Sequence, residues 1–139
     1  MQSDKTPDKL IFFGVLLFLA GLIVGFLIPV LANPRMGLST HLEGVMNGLF
    51  LVVLGLIWNR LSLSQKALKT TYALALYGTF ANFIAVFLAA ITGAGKMMPL
   101  AGGKDGGLQL EAAISFLLVS LALAMIAVCI LVLKGLYRR

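Results

Sequence analysis

Acidic side chains are scarce in this 139-residue chain, with five Asp and Glu against eleven Lys and Arg, and charged residues make up only 12% of it. A water-soluble domain of this size carries about twice that share of charge, so an ordinary soluble fold is excluded. The lone cysteine, Cys129, rules out an intrachain disulfide, and in its apolar surroundings it reads as a small buried packing residue. No basic patch interleaved with aromatic residues is present, so the net charge of +6 does not point to nucleic acid as a partner.

What the chain has in abundance is apolar sequence: 60% hydrophobic residues and a mean hydropathy of +1.04. Four runs, roughly 10–31, 40–58, 72–92 and 108–133, reach the length of about 20 helical residues that spans a hydrocarbon core. Only helices and closed barrels satisfy every backbone polar group in lipid, and continuous apolar runs lack a barrel's two-residue alternation. The expectation is an all-α integral membrane protein, a four-transmembrane-helix bundle in one domain, multi-pass in the inner cell membrane and surrounded by lipid. Val30-Leu31-Ala32 resembles a signal cleavage site behind Lys5 and Lys9, but the apolar stretch before it exceeds the roughly 7–15 residues of a signal core.

Basic residues divide unevenly between the two sides. Lys5, Lys9, Arg60, Lys66, Lys69, Lys134, Arg138 and Arg139 fall on the side of the termini; Arg35, Lys96 and Lys104 fall opposite. The positive-inside rule then predicts that both termini are cytoplasmic. On the outer side, the connection from Gly93 to Gly107 carries six glycines and reads either as a flexible connector or as a lid.

Small residues recur at helical spacing. Gly14, Gly21 and Gly25 in the first run, and Gly44, Gly48 and Gly55 in the second, form smooth faces. Gly44-x-x-x-Gly48 is the membrane small-x-x-x-small pattern, which serves close helix packing and would equally suit a planar cofactor.

Polar residues inside the apolar runs are the candidates for function. Thr40 and Glu43 have the spacing of a capping box and predict that the second helix starts there, which would explain Glu43 without chemistry. Glu111 reads in the same way, as a carboxylate at the positive end of the fourth helix. His41 would lie in the first turn of helix two, with Gly44, Gly48 and Gly55 within roughly 60° of it at about 100° per residue. It is either an interfacial histidine bonded to a neighbour or a functional group at the end of a smooth groove. Asn47 and Asn82 lie deeper, about 10 Å and about 15 Å from the outer ends of their runs at ~1.5 Å per residue. They form either an Asn–Asn bond between helices or the polar floor of a substrate pocket.

His41-x-x-x-x-x-Asn47-Gly48 opening the second run, with Phe80-Ala81-Asn82 in the third, resembles the styrene oxide isomerase family over about 36–92. The resemblance implies a redox-neutral rearrangement of a small aromatic substrate. It implies haem b, ferric and held between subunits of a homotrimer, with His41 as axial iron ligand and Asn47 contacting the substrate's oxygen or nitrogen. Beside it, the smooth face of Gly44 and Gly48 would line the cofactor and Asn82 would serve the substrate pocket as part of its polar floor. Val86 stands where the epoxide-converting branch has a tyrosine beside its substrate. That departure points to the branch that turns an arylhydroxylamine into an ortho-aminophenol, with aryl epoxide to aldehyde conversion as the alternative. One histidine per chain leaves the sixth iron position open for substrate, unlike an electron carrier with both positions filled.

Three other classes are distinguishable. A small multidrug transporter needs a membrane-embedded carboxylate, whereas 10–31 has none and Glu43 and Glu111 read as helix-end residues. A haem electron carrier would need two-histidine ligation across a dimer. A non-haem metal site would have to draw on His41, Glu43 and Glu111 together.

Overall fold

Local stop and start signals set the helices of the computed structural model, which describes residues 5–138. Helix α1 runs Thr6–Leu27 with Pro7 in its first turn, where a missing N–H costs nothing. After a 3₁₀ turn at Ile28–Val30, α2 runs Pro34–Ile57. A second 3₁₀ turn at Trp58–Arg60 leads to α3, Gln65–Thr92, whose N-cap is Ser64. Gly93 ends α3 in the left-handed region, at φ 80°, which suits glycine. A last 3₁₀ turn, Pro99–Ala101, precedes α4, Leu108–Tyr137.

All four helices are long and apolar enough to cross a membrane. They outrun the apolar runs because backbone hydrogen bonding continues past the hydrocarbon, through interfacial residues such as Lys66 and Lys69 in α3 and Lys134 in α4.

The largest correction is at α2. Its cap is not Thr40 but Asn33, whose side chain accepts the Met36 N–H at 3.2 Å, with Pro34 opening the first turn. Asn followed by Pro supplies both a cap acceptor and a preset φ, and it starts the helix seven residues earlier than the capping-box spacing predicts. Thr40 is mid-helix and fully buried; its hydroxyl donates back to the Met36 carbonyl at 2.8 Å.

The helices form a bundle packed in chain order, α1 on α2, α2 on α3 and α3 on α4, with α1 and α4 on the outer flanks. Two apolar clusters fill it. One gathers Leu10, Leu17, Leu51, Leu54 and Trp58; the other gathers Met36, Val86, Ala90 and Ile114. Large side chains such as Phe12, Phe26, Met46, Phe116 and Leu133 stay exposed all around it. That apolar outer belt matches lipid rather than water.

The start of α1, the α2–α3 turn and the end of α4 meet at one end, where the Ser62 N–H donates to the Gly135 carbonyl at 3.0 Å. Seven of the eight basic residues assigned to that side are on it, and Arg139 lies outside the described residues. Cys129 is exposed, not buried, because it sits one position round α4 from the buried Val128.

Candidate functional site

α2 carries two chemically different faces. His41, Gly44, Gly48 and Gly55 turn toward α1, while Glu43 and Asn47 turn toward α3. The early start of α2 places His41 seven residues inside it, about 10 Å beyond Pro34, rather than in the first turn.

The His41 ring lies over Gly25, whose hydrogen in place of a side chain gives it room: a Cβ there would stand 2.9 Å from Nδ1. Nδ1 is 2.9 Å from the Gly21 carbonyl oxygen. A carbonyl only accepts, so Nδ1 carries the proton and Nε2 keeps its lone pair. Nε2 has no hydrogen-bond partner among the described residues and is not one of the buried unpartnered atoms, so it is accessible. A histidine oriented by a carbonyl through one nitrogen and open at the other has the form of a metal or haem ligand.

The glycines beside it have a neighbour in the same chain. A Cβ on Gly44 would stand 2.5 Å from Gly21 Cα, and one on Gly48 would stand 2.6 Å from the Gly14 carbonyl oxygen. α1 therefore lies directly over the smooth face of α2. The small-x-x-x-small stripe is spent on close backbone approach, and a flat group beside His41 would meet neighbouring surfaces instead, including the exposed Leu38 three residues away.

On the opposite face, Glu43 joins the two asparagines. Its Oε2 accepts from Asn47 Nδ2 at 3.1 Å, one helical turn along α2, and from Asn82 Nδ2 at 2.5 Å, across on α3. Neither the expected cap nor a direct Asn–Asn bond describes this arrangement. Glu43 lies about 14 Å inside α2, with Thr40 too deep to be its capping partner, and the two amides meet through its carboxyl. All three side chains are half-buried. Close by, the ring of Phe83 approaches Gly44 and stacks on Phe87 at 6.1 Å and 15°.

Glu111 also does more than face a helix end. It is 4% exposed and accepts the backbone N–H groups of Gly95, Lys96 and Gly106 at 3.1–3.3 Å. Asn33 donates to the carbonyls of Ala101 and Gly102 at 3.3 and 3.2 Å, so the α2 cap also ties down the glycine-rich connection. The 93–107 segment is thus held by two buried side chains and by the Lys104 N–H bond to the Gly93 carbonyl at 2.7 Å.

With Glu111 committed there, no three His, Cys, Asp or Glu side chains come together as a metal site among the described residues, which overturns the His41–Glu43–Glu111 alternative. The depth of Glu43 likewise corrects its reading as a helix-end carboxylate, and with it that ground for setting transport aside.

Two roles went unseen in the sequence. Glu43 and Asn47, four apart, share a helix face, which is a readable signal. Asn33-Pro34 is a helix-start signal that the apolar run obscures. Val86 is buried in the packing cluster with Met36 and Ile114, so no hydroxyl is presented there.

A model of the styrene oxide isomerase family matches residues 6–137. The chain is 53% identical over 130 residues to the hydroxylaminobenzene mutase HabB of Ectopseudomonas oleovorans, covering 92% of this chain and 79% of that one. It is 46% identical over 127 residues to the hydroxylaminobenzene mutase HabA of the same organism, covering 90% and 94%. No solved structure matches.

Proposed function

The chain belongs to the styrene oxide isomerase family and is an isomerase, and from that premise we propose that it converts an arylhydroxylamine, hydroxylaminobenzene above all, into the ortho-aminophenol. The observation that carries this reading is the identity of about half of all residues, along nearly the whole chain, to two hydroxylaminobenzene mutases. The reaction is redox-neutral: the N–O bond breaks, a C–O bond forms at the ortho carbon, and one proton passes from that carbon to nitrogen.

His41 would hold the iron of haem b, because Nδ1 is held by Gly21 and Nε2 is open. When bound, the haem iron supplies a Lewis acid that polarises the N–O bond. Asn47 and Asn82 bind the substrate's nitrogen and oxygen and fix its register. The stacked Phe83 and Phe87 offer an aromatic wall. Apolar surroundings keep water from trapping the activated ring.

His41 and the Glu43–Asn47–Asn82 trio lie on opposite faces of α2. One substrate touching both therefore sits between two copies of the chain, which supports a homo-oligomer, the trimer of the family resemblance, with haem at the subunit contact. On this reading the protein resides in the inner membrane, and the uneven division of its basic residues supports cytoplasmic termini.

The test is to incubate the purified, detergent-solubilised protein separately with hydroxylaminobenzene and with styrene oxide and to identify the products. 2-Aminophenol from the first is the expected result. Phenylacetaldehyde from the second, with no turnover of the first, reassigns the chain to the epoxide branch.

A further inference from the structure

Three oxygen atoms of the polar trio are left without partners. Glu43 Oε1, Asn47 Oδ1 and Asn82 Oδ1 make no hydrogen bond among the described residues. None belongs to the buried unpartnered atoms, of which Trp58 Nε1 is the one found among the described residues. They are therefore accessible from outside the fold, at a depth where hydrocarbon offers no donor. Acceptors left in that state call for a ligand that donates.

The orientation of the two amides is what creates this surface, and Glu43 dictates it. Its Oε2 meets both amides, and each reaches it through its NH2 group. A carboxyl oxygen accepting two N–H bonds holds both amides with the nitrogen inward and the carbonyl oxygen elsewhere. Each NH2 keeps one further hydrogen. The trio thus offers three acceptor oxygens against two N–H hydrogens.

We propose that Glu43 is the specificity-determining positioning residue of the site: by gathering both asparagine amides on one oxygen, it leaves an acceptor-rich surface that selects ligands donating N–H and O–H over ligands that only accept. An arylhydroxylamine carries both donors on its reacting atoms. An aryl epoxide carries none. The naming of the hydroxylamine rests on the mutase reading, whereas the donor preference rests on the trio alone.

Replacement of Glu43 shifts the balance predictably. Glu43→Leu releases both NH2 groups and removes Oε1, giving two acceptors against four hydrogens. Glu43→Gln keeps an oxygen able to gather both amides but turns the open Oε1 into an NH2 group, so it reaches the same count, two acceptors against four hydrogens, with both amides still held.

The experiment measures dissociation constants of aniline, which donates N–H, and anisole, an acceptor larger by one methyl group, on solubilised wild type and both variants, together with KM for hydroxylaminobenzene. Wild type is expected to prefer aniline. That preference should fall at least threefold in both variants, about the effect of one hydrogen bond or more, with KM rising in step.

A parallel loss of affinity for both probes, leaving the ratio unmoved, overturns the proposal and marks Glu43 as merely structural. So does a wild type that binds neither probe. Should Glu43→Leu not fold, Glu43→Gln decides, and an unchanged ratio there refutes the idea. If wild type fails to convert hydroxylaminobenzene while the ratio shifts as expected, the mutase reading falls and the positioning role stands.

Discussion

His41 Nδ1 lies 2.9 Å from the carbonyl oxygen of Gly21 on the neighbouring helix, which fixes the imidazole tautomer with Nε2 open. His41→Ala should abolish a haem Soret band in the purified protein while leaving its elution and helical circular dichroism intact. An unchanged band in the variant, or none in wild type, removes His41 from the iron.

Gly25→Ala tests the same ring without touching it. The new Cβ would stand 2.9 Å from Nδ1, so the ring must move off the Gly21 carbonyl. The expected outcome is a shifted or weakened Soret band and at least tenfold lower activity, with little change in thermal stability because a side chain yields rather than backbone. Wild-type spectrum and turnover in Gly25→Ala contradict the placement of His41.

Gly44→Ala is expected to be costly to the fold itself. Its Cβ would meet Gly21 Cα at 2.5 Å, backbone against backbone, so α1 and α2 must separate. Overpacking of this kind costs about 1–3 kcal/mol, read as a lowered Tm in detergent. A Tm equal to wild type would show that the two helices do not approach so closely.

Asn47→Leu and Asn82→Leu share one acceptor, so their effects should not add. Each single variant leaves Glu43 Oε2 one amide, whereas the double variant leaves it none. The double variant is expected to lose more stability than the two singles together, by about 0.6–1.7 kcal/mol, the range for polar couplings between membrane helices. Strict additivity in a denaturation cycle breaks the link through Glu43.

Glu111→Ala should free the outer connection. Three backbone N–H groups lose their acceptor at once, each worth roughly 0.5–1.5 kcal/mol. Trypsin is expected to cut after Lys96 and Lys104 at least tenfold faster than in wild type, with α1 to α3 remaining intact by mass spectrometry. Equal cleavage rates show that Glu111 does not hold the segment.

The helices were legible in the sequence wherever a single-residue signal or a long run decides the matter. The four spans follow from length and hydropathy, since lipid demands about 20 apolar residues whatever their neighbours. The end of α3 at Gly93 could also be read there, as could the place of His41, Asn47 and Asn82 as polar residues inside apolar runs. The start of α2 was misread because two start signals compete, Asn33-Pro34 and Thr40 with Glu43, and only the first lies where the chain leaves the neighbouring turn. Cys129 was misread because one step along a helix rotates a residue by about 100°, enough to turn packing into exposure.

The sequence by itself determined four helices long and apolar enough to span a membrane, with polar residues inside the runs that became α2 and α3, because transfer from water to hydrocarbon acts on each segment independently. Tertiary structure alone decided the partners of His41 and Asn82. Whether the Asn82 amide reaches the Glu43 carboxyl, which carbonyl orients the histidine, and whether a glycine face lies open or under another helix depend on contacts between residues 20 to 39 positions apart. Those contacts arise from the packing of α1 and α3 on α2, which no local run of sequence encodes. Glu43 shows the difference: along the chain it reads as a cap, and in the fold it is the atom on which both asparagines close.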